Sequence, residues 1–277
     1  MNRLSITTFL ICGLFCASAA AGTSVCDGLV GEKKALAQKI LSTQHPYDCC
    51  DETIAACLKK KNPCPLATRL AESVCRRVEK GDSEAQIVRR LEKRAASMNP
   101  FAKKHSIDLS DAAMAGSPDA KVTLVVYACA RCPFCSRLVP RIYDAVTDGA
   151  LKGKVKLYFK AFPLKSHEYS KEGGLAMVAA HRMGQFWPYL LQMYGAFDLF
   201  CVDKLDDWAQ QKGMDPAQFT TLMNDPVTRD ALVASKKEGL ANGVEATPQL
   251  FINGRRYEGF LEIEEVVDVL FEKYDRP

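Results

Sequence analysis

The stretch Lys121 to Arg141, KVTLVVYACARCPFCSRLVPR, constrains this chain more than any other. Val122 to Val126 are apolar or β-branched and predict a buried strand. Cys132-Pro133-Phe134-Cys135 follows, and Ser136-Arg137-Leu138-Val139 enters a helical pattern. A strand that runs into C-x-x-C at the head of a helix has a definite chemistry. The first sulfur meets unpaired backbone N–H groups and the positive end of the helix dipole, which favour its thiolate. The second lies one turn further in and reaches the first to close a disulfide. Pro133 suits the first turn, because the N–H it lacks would be unpaired there. Arg131 adds a positive charge expected to push the Cys132 pKa down as well. Cys132 is thus expected to be the exposed, acidic sulfur and Cys135 the buried one.

Two other chemistries compete for these cysteines. Cys129, Cys132 and Cys135 together offer three soft ligands, as a copper- or zinc-binding chaperone would need. A zinc site, however, usually takes a second cysteine pair or histidines at a matching spacing. An inert structural disulfide is the other alternative. A redox-active pair is the favoured reading.

The 277 residues have room for one large or two modest domains. The net charge of +4 comes from 37 basic and 33 acidic residues that are interspersed, so no basic stripe argues for nucleic acid. There is no glycine-rich phosphate loop, and His45, His105, His167 and His181 are scattered, so no cofactor or metal is expected. Twelve cysteines favour an oxidising compartment. Met1-Asn2-Arg3, an apolar run from Leu4 to Cys16 and the small residues Ala17 to Ala21 predict a cleaved secretory signal peptide over residues 1–21. An uncleaved membrane anchor is the competing reading.

Residues 22–98 read as a small, cysteine-rich all-α domain. Helical stripes are predicted over Gly31 to Leu41, Asp51 to Leu58, Leu66 to Val78 and Glu84 to Ala96, with Ser83 as an N-cap. Cys26, Cys49, Cys50, Cys57, Cys64 and Cys75 are expected to form disulfides, with fifteen pairings open. A metal cluster or second redox centre is the alternative. The segment Cys64-Pro65-Leu66-Ala67 through Gly81-Asp82-Ser83 to Ile87-Val88-Arg89-Arg90-Leu91 resembles the three-helix domain of CcmH-type cytochrome c maturation proteins. Those domains carry a C-x-x-C before the matching helix, whereas this chain has Cys49-Cys50 and Cys57, so the resemblance implies the helical fold only.

Residues 99–119 read as a linker and 120–277 as the domain bearing the C-x-x-C. Val155 to Phe159 predict a second strand. Helices are expected over Lys171 to Met183, Phe186 to Ala196, Lys204 to Gln211, Pro216 to Leu222 and Pro226 to Asn242. A strand over Pro248 to Ile252, a hairpin turn at Asn253-Gly254, a short strand to Phe260 and a closing helix over Leu261 to Tyr274 complete the pattern. The fold class expected is α/β with a helical insertion.

Residues 107 to 275 resemble the DsbA-like thiol:disulfide oxidoreductases. The matching pieces are Gly116-Ser117-Pro118-Asp119-Ala120, Cys132-Pro133-Phe134-Cys135, Phe162-Pro163-Leu164, Ala179-Ala180 with Gly184-Gln185-Phe186-Trp187, and Gly243-Val244 to Thr247-Pro248 with Phe251-Ile252-Asn253-Gly254. The resemblance implies a thioredoxin-like fold with an inserted helical subdomain. It implies a cis Pro248 beside a Cys132–Cys135 disulfide, and a Thr247 whose backbone meets a substrate strand. It also implies a periplasmic enzyme that exchanges disulfides with thiol-containing clients, more as oxidase than as reductase, and a membrane redox partner. A reductase or isomerase serving apocytochrome c is the alternative direction. Many relatives carry an acidic residue three positions before the first active-site cysteine; here it is Cys129. That thiol is expected to be a core residue, a partner of Cys201 or of an N-terminal cysteine, or an extra resolving thiol. Cys201 is expected to be buried, and Lys160 to lie at the surface.

Overall fold

The structure, a computed structural model, describes residues 26–276. The expected leader therefore lies outside the described residues. The chain opens with α1 (Gly31–Thr43), α2 (Ile54–Leu58), α3 (Pro65–Glu79) and α4 (Glu84–Met98). Ala37, Ile40, Ile54, Leu70, Val74, Val78 and Ile87 form their shared core. Disulfides Cys26–Cys75, Cys49–Cys64 and Cys50–Cys57 staple it. α2 is shorter than expected because the Thr53 hydroxyl accepts the Ala56 N–H at 3.3 Å and starts the helix there, while disulfides hold Cys49 and Cys50 before it. Ser83 caps α4 in a full capping box with Gln86.

Next come β1 (Ala113–Gly116), β2 (Val122–Ala128), α5 (Pro133–Thr147) and β3 (Val155–Ala161). The helical insertion follows: α6 (Ser170–Arg182), α7 (Phe186–Gly195), a 3-10 turn at Phe197–Leu199, α8 (Lys204–Gln211), α9 (Pro216–Asn224) and α10 (Pro226–Ala241). β4 (Gln249–Ile252), β5 (Arg255–Arg256) and α11 (Ile263–Asp275) close the chain. The sheet order is β1-β3-β2-β4-β5, with β2 parallel to β3 and the other pairs antiparallel. This is the thioredoxin-like fold with a helical insertion.

β2 is central and buried on both faces, which is why it reads as a continuous apolar run. Val122, Leu124 and Val126 face a core shared with Val139, Ile142 and Val146 of α5. Val125 and Tyr127 face the other way, onto Phe162, Val244 and Phe251. The Asn253-Gly254 turn has both residues at positive φ, as the hairpin signal requires. Beyond it β5 stops at Arg256, short of the expected Phe260.

Part of the expected linker joins the sheet. Ala113–Gly116 pairs with β3, and small side chains without a clear alternation hid this strand from the sequence. Gly116 has φ +87, and a Cβ there would lie 2.5 Å from Val146 Cγ1 and 2.7 Å from the Val155 carbonyl oxygen. Only glycine fits that crossing of β1 under α5.

The helical N-terminal region docks on α11 through charge. Arg76 and Arg94 reach Asp268, Arg77 and Arg90 reach Glu262, Arg90 also reaches Glu265, and Arg94 pairs with Glu272. The acidic side of the amphipathic closing helix is thus spent inside the molecule.

Candidate active site

Cys132 is the N-cap residue of α5, and Pro133 occupies the first helical position. The strand β2 delivers it: Cys129 follows the last residue of β2, and the Cys132 N–H donates to the Cys129 carbonyl at 3.2 Å. The Cys132 thiol donates to the Thr247 carbonyl at 3.2 Å. The Thr247–Pro248 peptide bond is cis and lies directly before β4. Residues 115 positions apart in sequence thus meet at one sulfur.

The two thiols differ sharply in acidity. Cys132 is brought down to about 5, first by the hydrogen bond from Cys135 and against the cost of burial. Thr247 and the N–H groups of Cys135 and Phe134 add to the effect. Cys135 is pushed far above the usual thiol range, first by burial and then by the hydrogen bond and charge of Cys132. The Thr247 hydroxyl is buried beside both sulfurs and, among the described residues, makes no hydrogen bond of good geometry.

Several expectations need correction. Cys132 is 1 % exposed, because its sulfur turns in under the Thr247 loop; the exposed residue at the mouth is its neighbour Phe134, at 61 %. Arg131 is not among the leading causes of the Cys132 acidity. Its guanidinium donates to the Phe197 carbonyl at 2.8 Å and stacks on the rings of Phe197 and Phe200. Cys201 is exposed, not buried. In Leu199-Phe200-Cys201 it is Phe200 that turns inward, onto Trp208. Lys160 is no surface lysine: its ammonium pairs with Glu238 at 2.9 Å and donates to the Asp108 carbonyl.

Cys129 is a free, fully buried thiol, and so is not bonded to Cys201 or to the six stapled cysteines. Its sulfur lies 3.4 Å from Nδ1 of His167. Burial raises its pKa, while the N–H groups of Arg131 and Leu164 act in the other direction. Tyr194, buried on α7, donates its hydroxyl to the Cys129 carbonyl at 3.1 Å. Sequence reasoning passed over His167 and Tyr194, and no spacing marks either. Among the described residues no group of three or more His, Cys, Asp or Glu is placed to hold a metal ion, so Cys129, Cys132 and Cys135 do not form a ready ligand set.

Around the mouth, Phe134, Arg137 and Leu138 of α5 line a groove with Leu261, Ile263 and Lys80, the last from the N-terminal region. Apolar and charged side chains share its lining, with Arg141, Glu262 and Glu264 beside them. Among the described residues no helix is long and apolar enough to cross a membrane.

A family model described as thioredoxin matches residues 109–271, more than half of the chain. The chain is similar to the Na(+)/H(+) antiporter NhaA 1 of Mycolicibacterium gilvum (strain PYR-GCK), at 33% identity over 156 residues. That match is 52% of this chain and 24% of the antiporter, so the chain spans about a quarter of that relative's length. Among solved structures it is similar to oxidised BdbD from Bacillus subtilis, with a TM-score of 0.56 at 18% identity over 63% of this chain and 99% of that one. It is also similar to alpha-DsbA1 of Wolbachia pipientis, with a TM-score of 0.52 at 20% identity over 61% and 93% of the two chains. At these identities the structural likenesses show the fold.

Proposed function

Because the chain belongs to the thioredoxin family, we propose that it is an oxidoreductase acting on disulfides, in which Cys132 and Cys135 exchange disulfides with client proteins outside the cytosol, more as oxidase than as reductase. The observation that carries this is the gap in acidity between the two thiols. In the reduced protein Cys132 is a thiolate at neutral pH, and everything that stabilises that thiolate stabilises the reduced form. A pair whose reduced form is stabilised takes electrons readily.

The chemistry runs in two exchanges. A client thiolate attacks Cys132, the Cys132–Cys135 bond breaks, and Cys135 leaves with the bonding pair. A second client thiolate then attacks the client sulfur of the mixed disulfide and displaces Cys132, which leaves as a stable thiolate. The client is oxidised and the enzyme reduced by two electrons. In reverse, Cys132 attacks a client disulfide and Cys135 resolves it. The Thr247 carbonyl and cis Pro248 form the edge against which an extended client segment lies, and exposed Phe134 offers it apolar contact. We assign the stapled region 22–98 as a separate domain that adds Lys80 to the rim of this groove. Its three disulfides favour an oxidising, periplasmic location. Turnover as an oxidase then needs a membrane partner to remove electrons.

The test is the reduction potential of the Cys132–Cys135 pair against glutathione, with the other cysteines accounted for by mass. A value above about −180 mV supports the oxidase reading. A value near or below about −270 mV overturns it in favour of a reductase, with apocytochrome thiols as candidate clients.

A further inference from the structure

The three bridges of the N-terminal region are not alike. Cys50, Cys57 and Cys75 are buried, whereas Cys49 is exposed and its partner Cys64 half-buried. Cys64 is also the N-cap residue of α3, with Pro65 at the first helical position. That is the placement of Cys132 and Pro133 at the head of α5. The fifteen residues of α3 set the positive end of their dipole and their unpaired N–H groups beside Cys64, which favours an anion there.

Cys49 has no such support. It stands on a loop at φ +62, a conformation that cysteine rarely adopts, and its N–H donates to the Asp48 carboxylate at 2.7 Å. The two sulfurs therefore differ as leaving groups, and the sulfur with the more stable thiolate leaves faster.

The charges around the bridge suit an anionic attacker. Asp48 is paired with Arg276 at 2.9 Å and Glu52 with Lys60 at 3.1 Å. Over residues 48–64 that leaves Lys59 and Lys61 against Asp51, a positive balance. The Cys26–Cys75 bridge instead borders Asp27, Glu72, Glu79 and Arg76, and Arg76 is paired with Asp268. Cys75 also lies in mid-helix, away from either end of α3.

We propose that Cys49–Cys64 is a second disulfide-exchange site, which accepts electrons from an anionic low-molecular-weight thiol. The thiolate attacks Cys49, the Cys49–Cys64 bond breaks, and Cys64 leaves with the bonding pair as a thiolate at the head of α3. A second thiolate attacks the incoming sulfur of the mixed disulfide and displaces Cys49, which takes a proton from water. Two thiols become one disulfide, and the bridge gains two electrons. The site works apart from Cys132. Lys80, at the far end of α3, lines the groove beside Phe134, so about 22 Å of helix separates that groove from Cys64.

The experiment exposes the full, oxidised chain to reduced glutathione near neutral pH without denaturant, and maps alkylation of each cysteine by mass. Cys49 and Cys64 are expected to open at least about tenfold faster than the other two N-terminal bridges, with the transient glutathione adduct on Cys49. Cys132→Ser should leave that rate unchanged, so the result stands or falls apart from the exchange reading for Cys132 and Cys135. Opening of all three bridges together, an adduct on Cys64, or a slower rate in Cys132→Ser would overturn the proposal. Single-thiol variants test the asymmetry. Alkylation of Cys64 in Cys49→Ser should have a midpoint below about 7.5, as for thiols at helix N-termini. In Cys64→Ser, where serine keeps the cap, Cys49 should be alkylated as an ordinary thiol. Equal midpoints would overturn the assignment of the leaving sulfur. Where either variant does not fold, the mapping on the natural protein decides alone.

Discussion

Arg94 of α4 and Glu272 of α11 face each other across the seam between the N-terminal helices and the sheet domain, with side chains only 3 % and 2 % exposed. The Arg94 Nε donates to Glu272 at 3.0 Å, and the Tyr47 hydroxyl donates to the same carboxylate. Such a pair is costly to desolvate, so its net contribution as a pair is modest. Removing one partner is another matter, because the remaining charge stays buried.

Arg94→Ala is expected to destabilise the protein by about 3–5 kcal/mol. Replacing Arg94 and Glu272 together by apolar residues of similar volume should cost much less than either single removal. Urea unfolding with the disulfides intact measures both. Additive losses, with the double variant costing the sum of the Arg94 and Glu272 single variants, would show that the pair is not coupled.

The three N-terminal disulfides should not contribute equally. Cys26–Cys75 closes a separation of 49 residues, while Cys50–Cys57 closes 7. In the chain-entropy account, loss of the long bridge costs about 4 kcal/mol and loss of the short one about 2. Paired Cys→Ala variants, compared by thermal unfolding, should rank in that order. The reverse order would mean that native contacts around Cys50, not loop closure, dominate.

What the sequence shows of this molecule is what local chemistry writes. β2 is legible because burial on both faces demands a run such as Val122 to Val126. The Asn253-Gly254 turn and the Ser83 cap are legible because their residue types satisfy a conformational need on the spot. Cys132 and Cys135 announce themselves for the same reason, since strand, proline and spacing are all local. β1 is not legible, because Ala113 and Ala115 have no side chain large enough to mark a buried face. Nor is the Arg90–Glu265 contact, whose partners are 175 residues apart on helices that each read as ordinary amphipathic surface. The burial of Cys132 and the His167 contact of Cys129 depend on loops 115 and 38 residues away. A sequence pattern shows that a thiol will be acidic before it shows what covers it.

Cys135→Ser should trap clients. With Cys135 absent, a mixed disulfide on Cys132 has no internal thiol poised to resolve it, so adducts accumulate. Non-reducing gels of cell extracts, with mass spectrometry of the captured partners, should show them. Cys132→Ser should show none. Adducts on Cys132→Ser but not on Cys135→Ser would reverse the roles of the two thiols, and adducts through Cys201, the exposed free thiol, would vanish in Cys201→Ser.

The acidity of Cys132 also sets a pH dependence with a definite sign. In the folded, reduced protein its pKa is held at about 5, below the ordinary thiol value of 9.0 that applies to the unfolded chain. A depressed pKa means that the unfolded state binds the extra proton between those two values, so folding stability of the reduced form rises with pH across that window. The contribution is complete above about pH 9 and is lost as pH falls through about 5. The oxidised form has no thiol at this position and lacks the effect. The difference in unfolding free energy between reduced and oxidised protein, measured by urea titration from pH 4 to 9, is therefore expected to move in favour of the reduced form as pH rises. The alkylation rate of the reduced protein, with Cys201 replaced by Ser, should climb through a midpoint near 5 over the same range. A midpoint near that of a free thiol would remove the basis for an oxidising pair, because the hydrogen bonds from Cys135 and from the N–H groups at the head of α5 would then not be stabilising a thiolate.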